Sequence, residues 1–155
     1  MAEYIAPLVQ TVTENQPVLF TSSPVPCRRG FVRWRDGSGV FNLSGWVPNR
    51  GGCGCNRPKS AVYLVDFGAN IAIPEGGTVG EISLALAIGG TVIPTSIMRA
   101  TPAAVEQFAN VSRAINVQVW RGCCENVSVV NTSGQDILVE DANIIFSRSD
   151  LAGTY

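Results

Sequence analysis

Across residues 63–73 every second side chain is apolar, with Tyr63, Val65, Phe67, Ala69, Ile71 and Ile73 on one face and Leu64, Asp66, Gly68, Asn70 and Ala72 on the other. A period of two belongs to a pleated strand, since helix faces repeat about every 3.6 residues. Pro74-Glu75-Gly76-Gly77 ends this strand, because proline withholds a ladder donor and glycine permits the reversal. The next segment repeats the pattern: Ile82, Leu84, Leu86 and Ile88 alternate with Ser83, Ala85 and Ala87 up to Gly89-Gly90. The small residues either admit close approach by another layer or subunit, or mark a central strand buried on both sides.

Similar punctuation runs along most of the chain. Val18-Leu19-Phe20 is the first strand expected, and residues 1–15 before it, of mixed polarity and without a period, read as an arm that attaches the domain to a larger assembly. Residues 31–34 and 40–43 flank Asp36-Gly37-Ser38-Gly39 and pair as a hairpin. Residues 46–60, rich in glycine and proline, read as an irregular excursion. Gly89-Gly90 leads into a further strand over residues 91–98, where Pro94 marks an edge or a bulge. Residues 101–108 carry the one helical signal, Thr101 capping Pro102, and are equally readable as an extended crossing. Ile115, Val117 and Val119, then Val127 and Val129, predict a hairpin around Cys123-Cys124-Glu125; Ile137 and Val139, then Ile144 and Phe146, predict the last two strands. About ten short strands with turns between them select an all-β, two-sheet antiparallel sandwich or barrel over any βα unit, with residues 16–155 as one domain.

Charge and composition exclude several functions. Eleven Lys and Arg against 12 Asp and Glu give a formal charge of -1, with one cationic cluster at Arg28, Arg29, Arg33 and Arg35. Nucleic-acid domains carry a clear basic excess, so Arg33 and Arg35, alternating with Val32 and Trp34, read as a solvated strand face and no nucleic-acid partner is expected. The chain has no histidine, which removes the commonest general base and metal ligand. Asp66 has no acidic partner nearby, and Glu75, Glu81, Glu106 and Glu125 are scattered, so no carboxylate pair suggests glycoside hydrolysis. The glycine pairs lack the lysine and hydroxyl of a phosphate-binding loop, and Asn42, Asn110, Asn126 and Asn131 sit in N-x-Ser/Thr triplets to which no function is assigned. The reading is a non-enzyme without a cofactor. Residues 1–10 lack the features of an export signal and no apolar run reaches spanning length, so neither that export route nor membrane insertion is expected.

Cys27, Cys53, Cys55, Cys123 and Cys124 are odd in number and unevenly placed, and they form no evident disulfide framework. They read as structural cysteines that hold loops as thiols, through disulfides or around a metal, with Cys27, Cys53 and Cys55 as the preferred local group. A four-thiolate knot lacks the paired CxxC knuckles of a strong zinc signature, so no metal site is assigned.

Six stretches follow one another in a telling order. Gln16-Pro17-Val18-Leu19-Phe20 precedes Gly37-Ser38-Gly39-Val40-Phe41-Asn42-Leu43, then Tyr63-Leu64-Val65-Asp66-Phe67. Ile82-Ser83-Leu84-Ala85-Leu86-Ala87-Ile88-Gly89-Gly90, with Val92-Ile93-Pro94, precedes Val127-Ser128-Val129-Val130-Asn131 and Ile144-Ile145-Phe146-Ser147-Arg148. This succession resembles the trimeric jelly roll of the tumour-necrosis-factor (TNF) and complement-C1q superfamily, especially its bacterial and phage-borne members. Cys53-Gly54-Cys55 and Cys123-Cys124 depart from that pattern. The resemblance implies a two-sheet jelly roll in a compact homotrimer that binds rather than catalyses. Without a collagen-like Gly-x-y stretch, it implies a phage virion structural protein: a capsid decoration or head-fibre component on the virion surface, made in the bacterial host cytoplasm, with a major capsid or other virion protein as partner. The alternative is an adhesin domain, spore-surface types included, that binds a host-surface glycan.

Overall fold

The structure is a computed structural model and describes residues 1–48 and 58–150, which hold twelve strands and a short 3-10 turn at Pro94–Ser96. One sheet runs in the order β10 (Ala109–Trp120), β6 (Ser60–Ala72), β12 (Ile137–Arg148), β1 (Ala2–Ala6) and β3 (Ser22–Val25), with β2 (Gln10–Val12) also on β12. The other runs β4 (Val32–Arg33), β5 (Val40–Ser44), β11 (Cys124–Asn131), β7 (Ile82–Ile88) and β8 (Thr91–Val92), with β9 (Met98–Ala100) also on β7. All these pairings are antiparallel. The architecture is a two-sheet jelly-roll sandwich.

The alternation over residues 63–73 forms the core of the first sheet. Tyr63, Val65, Phe67, Ala69 and Ile71 are buried while Leu64 and Asp66 are exposed. Phe41, Leu43, Leu84, Leu86, Val127 and Val129 supply the second sheet's half of the same core. Aromatic rings join the layers at one end, with Tyr4, Phe146 and Phe20 lying 4.8, 4.9 and 5.2 Å from Phe41. Such pairs add roughly 0.5–1.5 kcal/mol each beyond the area they bury. The small face of β7 is covered within the chain: Ala85 and Ala87 are buried, and Ser83 bonds Thr132 and Ser133. Gly89 and Gly90 both have positive φ, 58° and 82°, as a tight hairpin turn requires.

Several expectations need correction. Residues 1–15 are not an arm: β1 lies between β12 and β3 with Ala2, Tyr4 and Ala6 buried, and β2 extends the pairing along β12. Val18 and Phe20, expected in the first strand, are buried in a segment whose partners change. Val18 N–H donates to Val129 O at 2.8 Å, whereas Phe20 N–H donates to Ser38 O at 3.2 Å. The hairpin expected around Cys123-Cys124 does not form, because β10 belongs to one sheet and β11 to the other. The two closing strands are one, β12, with its register shifted between Glu140 and Asn143 and Asp141 at a φ of 52°. The strand expected over residues 91–98 breaks at Pro94–Ser96. Residues 101–108 form bends and turns rather than a helix, with Glu106 at a φ of 57° and its N–H donating to Ile73 O at 2.7 Å.

Candidate functional site

At the β4 edge of the second sheet, the turn entering β4 meets the chain leaving β5. The antiparallel register pairs Val32 with Leu43 and Arg33 with Asn42, and Ser44 N–H donates to Phe31 O at 2.8 Å. Val32 points into the core, so Arg33 faces outward. Between these segments lies a cleft of about 420 Å³ lined by Arg29, Gly30, Phe31, Arg33, Ser44 and Trp46. This volume suits a small-molecule site.

A stack of side chains supports the cleft from below. The Trp46 and Phe31 rings lie 5.6 Å apart at 23°, and the Arg148 guanidinium sits 4.8 Å over Phe31 and 5.1 Å over Tyr63. A cation over an aromatic face is held by the ring quadrupole. Arg148, at the end of β12, also donates to Trp46 O at 2.9 Å and forms a two-bond fork with Asp150, one bond at 2.7 Å. Asp150 accepts a further bond from Val62 N–H at 3.1 Å. Burial pushes the Asp150 carboxyl up, but the Arg148 and Val62 bonds outweigh it and hold the group below the usual aspartate value. The buried Tyr63 hydroxyl is shared between Ser44 O at 2.6 Å and Phe31 O at 3.2 Å. Burial raises its phenol pKa further than Arg148 lowers it. Tyr63 therefore acts as a neutral donor to both walls of the cleft.

The positive charges around the cleft are not equivalent. Arg148 is neutralised by Asp150, and the other ion pair among the described residues is Arg99 with Glu81. Arg29 and Arg33 have no ion-pair partner among the described residues. The sequence reading of Arg33 as an exposed strand residue stands, but it missed the convergence of Arg29, Phe31, Trp46 and the distant Arg148. The available signal was the interleaving of arginines with Phe31 and Trp34 beside a hairpin.

The cysteines divide by position. Cys27 Sγ accepts the Val32 N–H at 3.4 Å and its carbonyl accepts the Gly30 N–H at 3.4 Å, so it shapes the turn that carries Arg29. Cys123 and Cys124 are exposed thiols at the crossing from β10 to β11; Cys123 O accepts the Gly45 N–H at 2.8 Å, and Cys124 pairs with Ser44. Cys53 and Cys55 lie outside the described residues. Among the described residues no group of three or more His, Cys, Asp or Glu side chains is placed to hold a metal, and no helix is long and apolar enough to cross a membrane. Asp66 is exposed on the outer face of the first sheet, between Ala114 and Ile145.

Neither a protein-family model nor a curated protein sequence matches this chain. Solved structures do. The globular domain of zebrafish complement 1qA superposes with a TM-score of 0.58 at 13% identity, covering 93% of this chain and 94% of that one. The Eiger TNF from S. frugiperda superposes with a TM-score of 0.64 at 12% identity, covering 96% and 91%. The fold is therefore a TNF/C1q-like jelly roll.

Proposed function

We propose that this chain is the binding domain of a surface-displayed homotrimer and that it adheres through the cleft at the β4–β5 edge. The cleft carries this reading, because it places two guanidiniums without ion-pair partners among the described residues beside an indole on a supported stack, with no acid–base pair among the described lining residues. Guanidiniums stay protonated and the Tyr63 phenol is pushed up, so these groups favour recognition over proton transfer near neutrality.

Threefold assembly is supported by the likeness of fold and by the outer face of the first sheet. Leu64 is 39% exposed there, and Ile145 and Ile5 are half-buried on neighbouring strands. Closed symmetry would cover that face, and three linked copies would turn a weak site into an avid one. Light scattering at micromolar concentration is expected to report three chains, and the trimer is expected to adhere to glycan-coated surfaces. A stable monomer would remove the trimer, and failure to adhere would remove the adhesive role.

A virion location, as capsid decoration or head fibre with a major capsid protein as partner, is the narrower form of this reading. The chain-order resemblance supports it. Immunogold labelling of intact phage particles is expected to mark their surface, and unlabelled particles known to contain the chain would refute surface display.

A further inference from the structure

We propose that the cleft takes an anionic saccharide, with Arg29 and Arg33 holding its carboxylate or sulfate and Trp46 supporting its ring; this inference rests on the binding reading above. The charge argument begins with Arg148, which is committed to Asp150 by a two-bond fork and to Trp46 O. A ligand's charge therefore falls to Arg29 and Arg33, which line the cleft without ion-pair partners among the described residues. Guanidinium forks match the oxygens of carboxylate and sulfate and form charge-assisted hydrogen bonds with them.

The ring argument comes from Trp46. Its side chain stacks on Phe31, while its backbone N–H donates to Ser44 Oγ at 3.2 Å and its carbonyl accepts from Arg148 at 2.9 Å. The residue is nevertheless 54% exposed. A held indole with much of its surface open offers a flat apolar support beside two cations, which suits a sugar ring bearing an acid group. Ser44 Oγ accepts the Trp46 N–H, leaving its hydroxyl proton available to a ligand oxygen.

Size and charge favour a saccharide over nucleic acid. A strand of nucleic acid is held by a positive groove that follows successive phosphates, whereas this cleft offers, among the described residues, two guanidiniums without ion-pair partners and about 420 Å³ on a chain of formal charge -1.

The test applies the full chain to an array of uronate-bearing, sulfated and neutral saccharides. The strongest acidic probe and its methyl-esterified or desulfated counterpart are then titrated by calorimetry against the parent, R29Q, R33Q and W46A. A charge-assisted hydrogen bond corresponds to a loss of roughly 10–100-fold, so removing the ligand charge or Arg33 is expected to weaken binding by about that factor. W46A is expected to weaken both forms, and a ten-nucleotide oligothymidylate is not expected to compete. The carboxylated and sulfated arms decide between the two anions. Equal binding of acidic and neutral forms, parent affinity in both R29Q and R33Q, competition by the oligonucleotide at lower concentration than the saccharide, or no acidic saccharide bound would each overturn the proposal. A neutral saccharide bound more tightly than every acidic one, with that binding lost in W46A, would overturn the anionic class while leaving the binding function intact, and a monomeric mass would remove the trimer alone. The ligand-charge comparison uses the parent chain, so it stands even where a variant fails to fold.

Discussion

Tyr63→Phe removes one oxygen from beneath the cleft and leaves the ring in place. The lost hydroxyl is buried and is shared between Ser44 O at 2.6 Å and Phe31 O at 3.2 Å, joining both walls to β6. Leaving a buried polar group short of a partner costs about 1–3 kcal/mol. The phenyl ring still packs beneath Arg148, so little cavity cost is added. At roughly 2–4 °C per kcal/mol for a chain of this size, the melting temperature should fall by roughly 2–12 °C. Urea unfolding at one fixed protein concentration is the cleaner assay, because an oligomer's apparent stability depends on concentration. The midpoint should fall with an unchanged slope, the signature of lost stability without a change in exposed surface. Binding at the cleft should weaken as well, since Phe31 and Ser44 lose their shared donor. An unchanged midpoint and unchanged binding would refute the assignment of Tyr63 as a clamp.

Gly45→Ala would place a Cβ 2.0 Å from Trp120 O and 2.8 Å from Cys123 O. Both obstacles are backbone, so the crossing from β10 to β11 must shift, and calorimetry should report a loss of about 1–3 kcal/mol; a wild-type melting temperature would contradict the close approach. The folded state holds the Asp150 carboxyl below its ordinary value of 3.8, so its contribution is present above 3.8 and lost as pH falls through the lower folded value. Asp150→Asn should therefore be less stable than the parent at neutral pH, with the gap closing in acid below 3.8, and a gap that persists there would exclude the linkage. Iodoacetamide followed by mass mapping should label exposed Cys123 and Cys124 before Cys27, which packs against the core; simultaneous labelling of all three would argue against that packing.

Legibility in the sequence follows the strength of the side-chain contrast. Residues 63–73 can be read because large apolar groups alternate with Leu64, Asp66, Gly68 and Asn70, and burial follows that alternation closely. In β1, by contrast, two of the three buried positions are Ala2 and Ala6, too small to stand out against Ile5 on the less buried face. Periodicity identifies β10 and β11 as strands but says nothing of their partners. A short turn joins neighbours in one sheet or carries the chain to the other, and here it does the latter. The arginine cluster was visible, but the cleft was not: Arg148 meets Trp46 across 102 residues, a pairing set by the stacking of sheets rather than by local sequence. Cys27 was legible as a loop residue, while the contact of its sulfur with Val32 N–H follows from the turn geometry.

Placing β1 between β3 and β12 has a consequence for how the chain is made. The backbone partners of residues 2–6 lie at residues 142–146, so a chain emerging from the ribosome carries β1 without its β12 partner until nearly all the described sequence has been synthesised. Such distant pairing slows folding and leaves strand edges open while it is incomplete. Arg148 ends that same last strand and carries the stack beneath Phe31 and Trp46. The supported cleft is therefore a late product of folding, and a nascent chain halted before β12 would emerge without it.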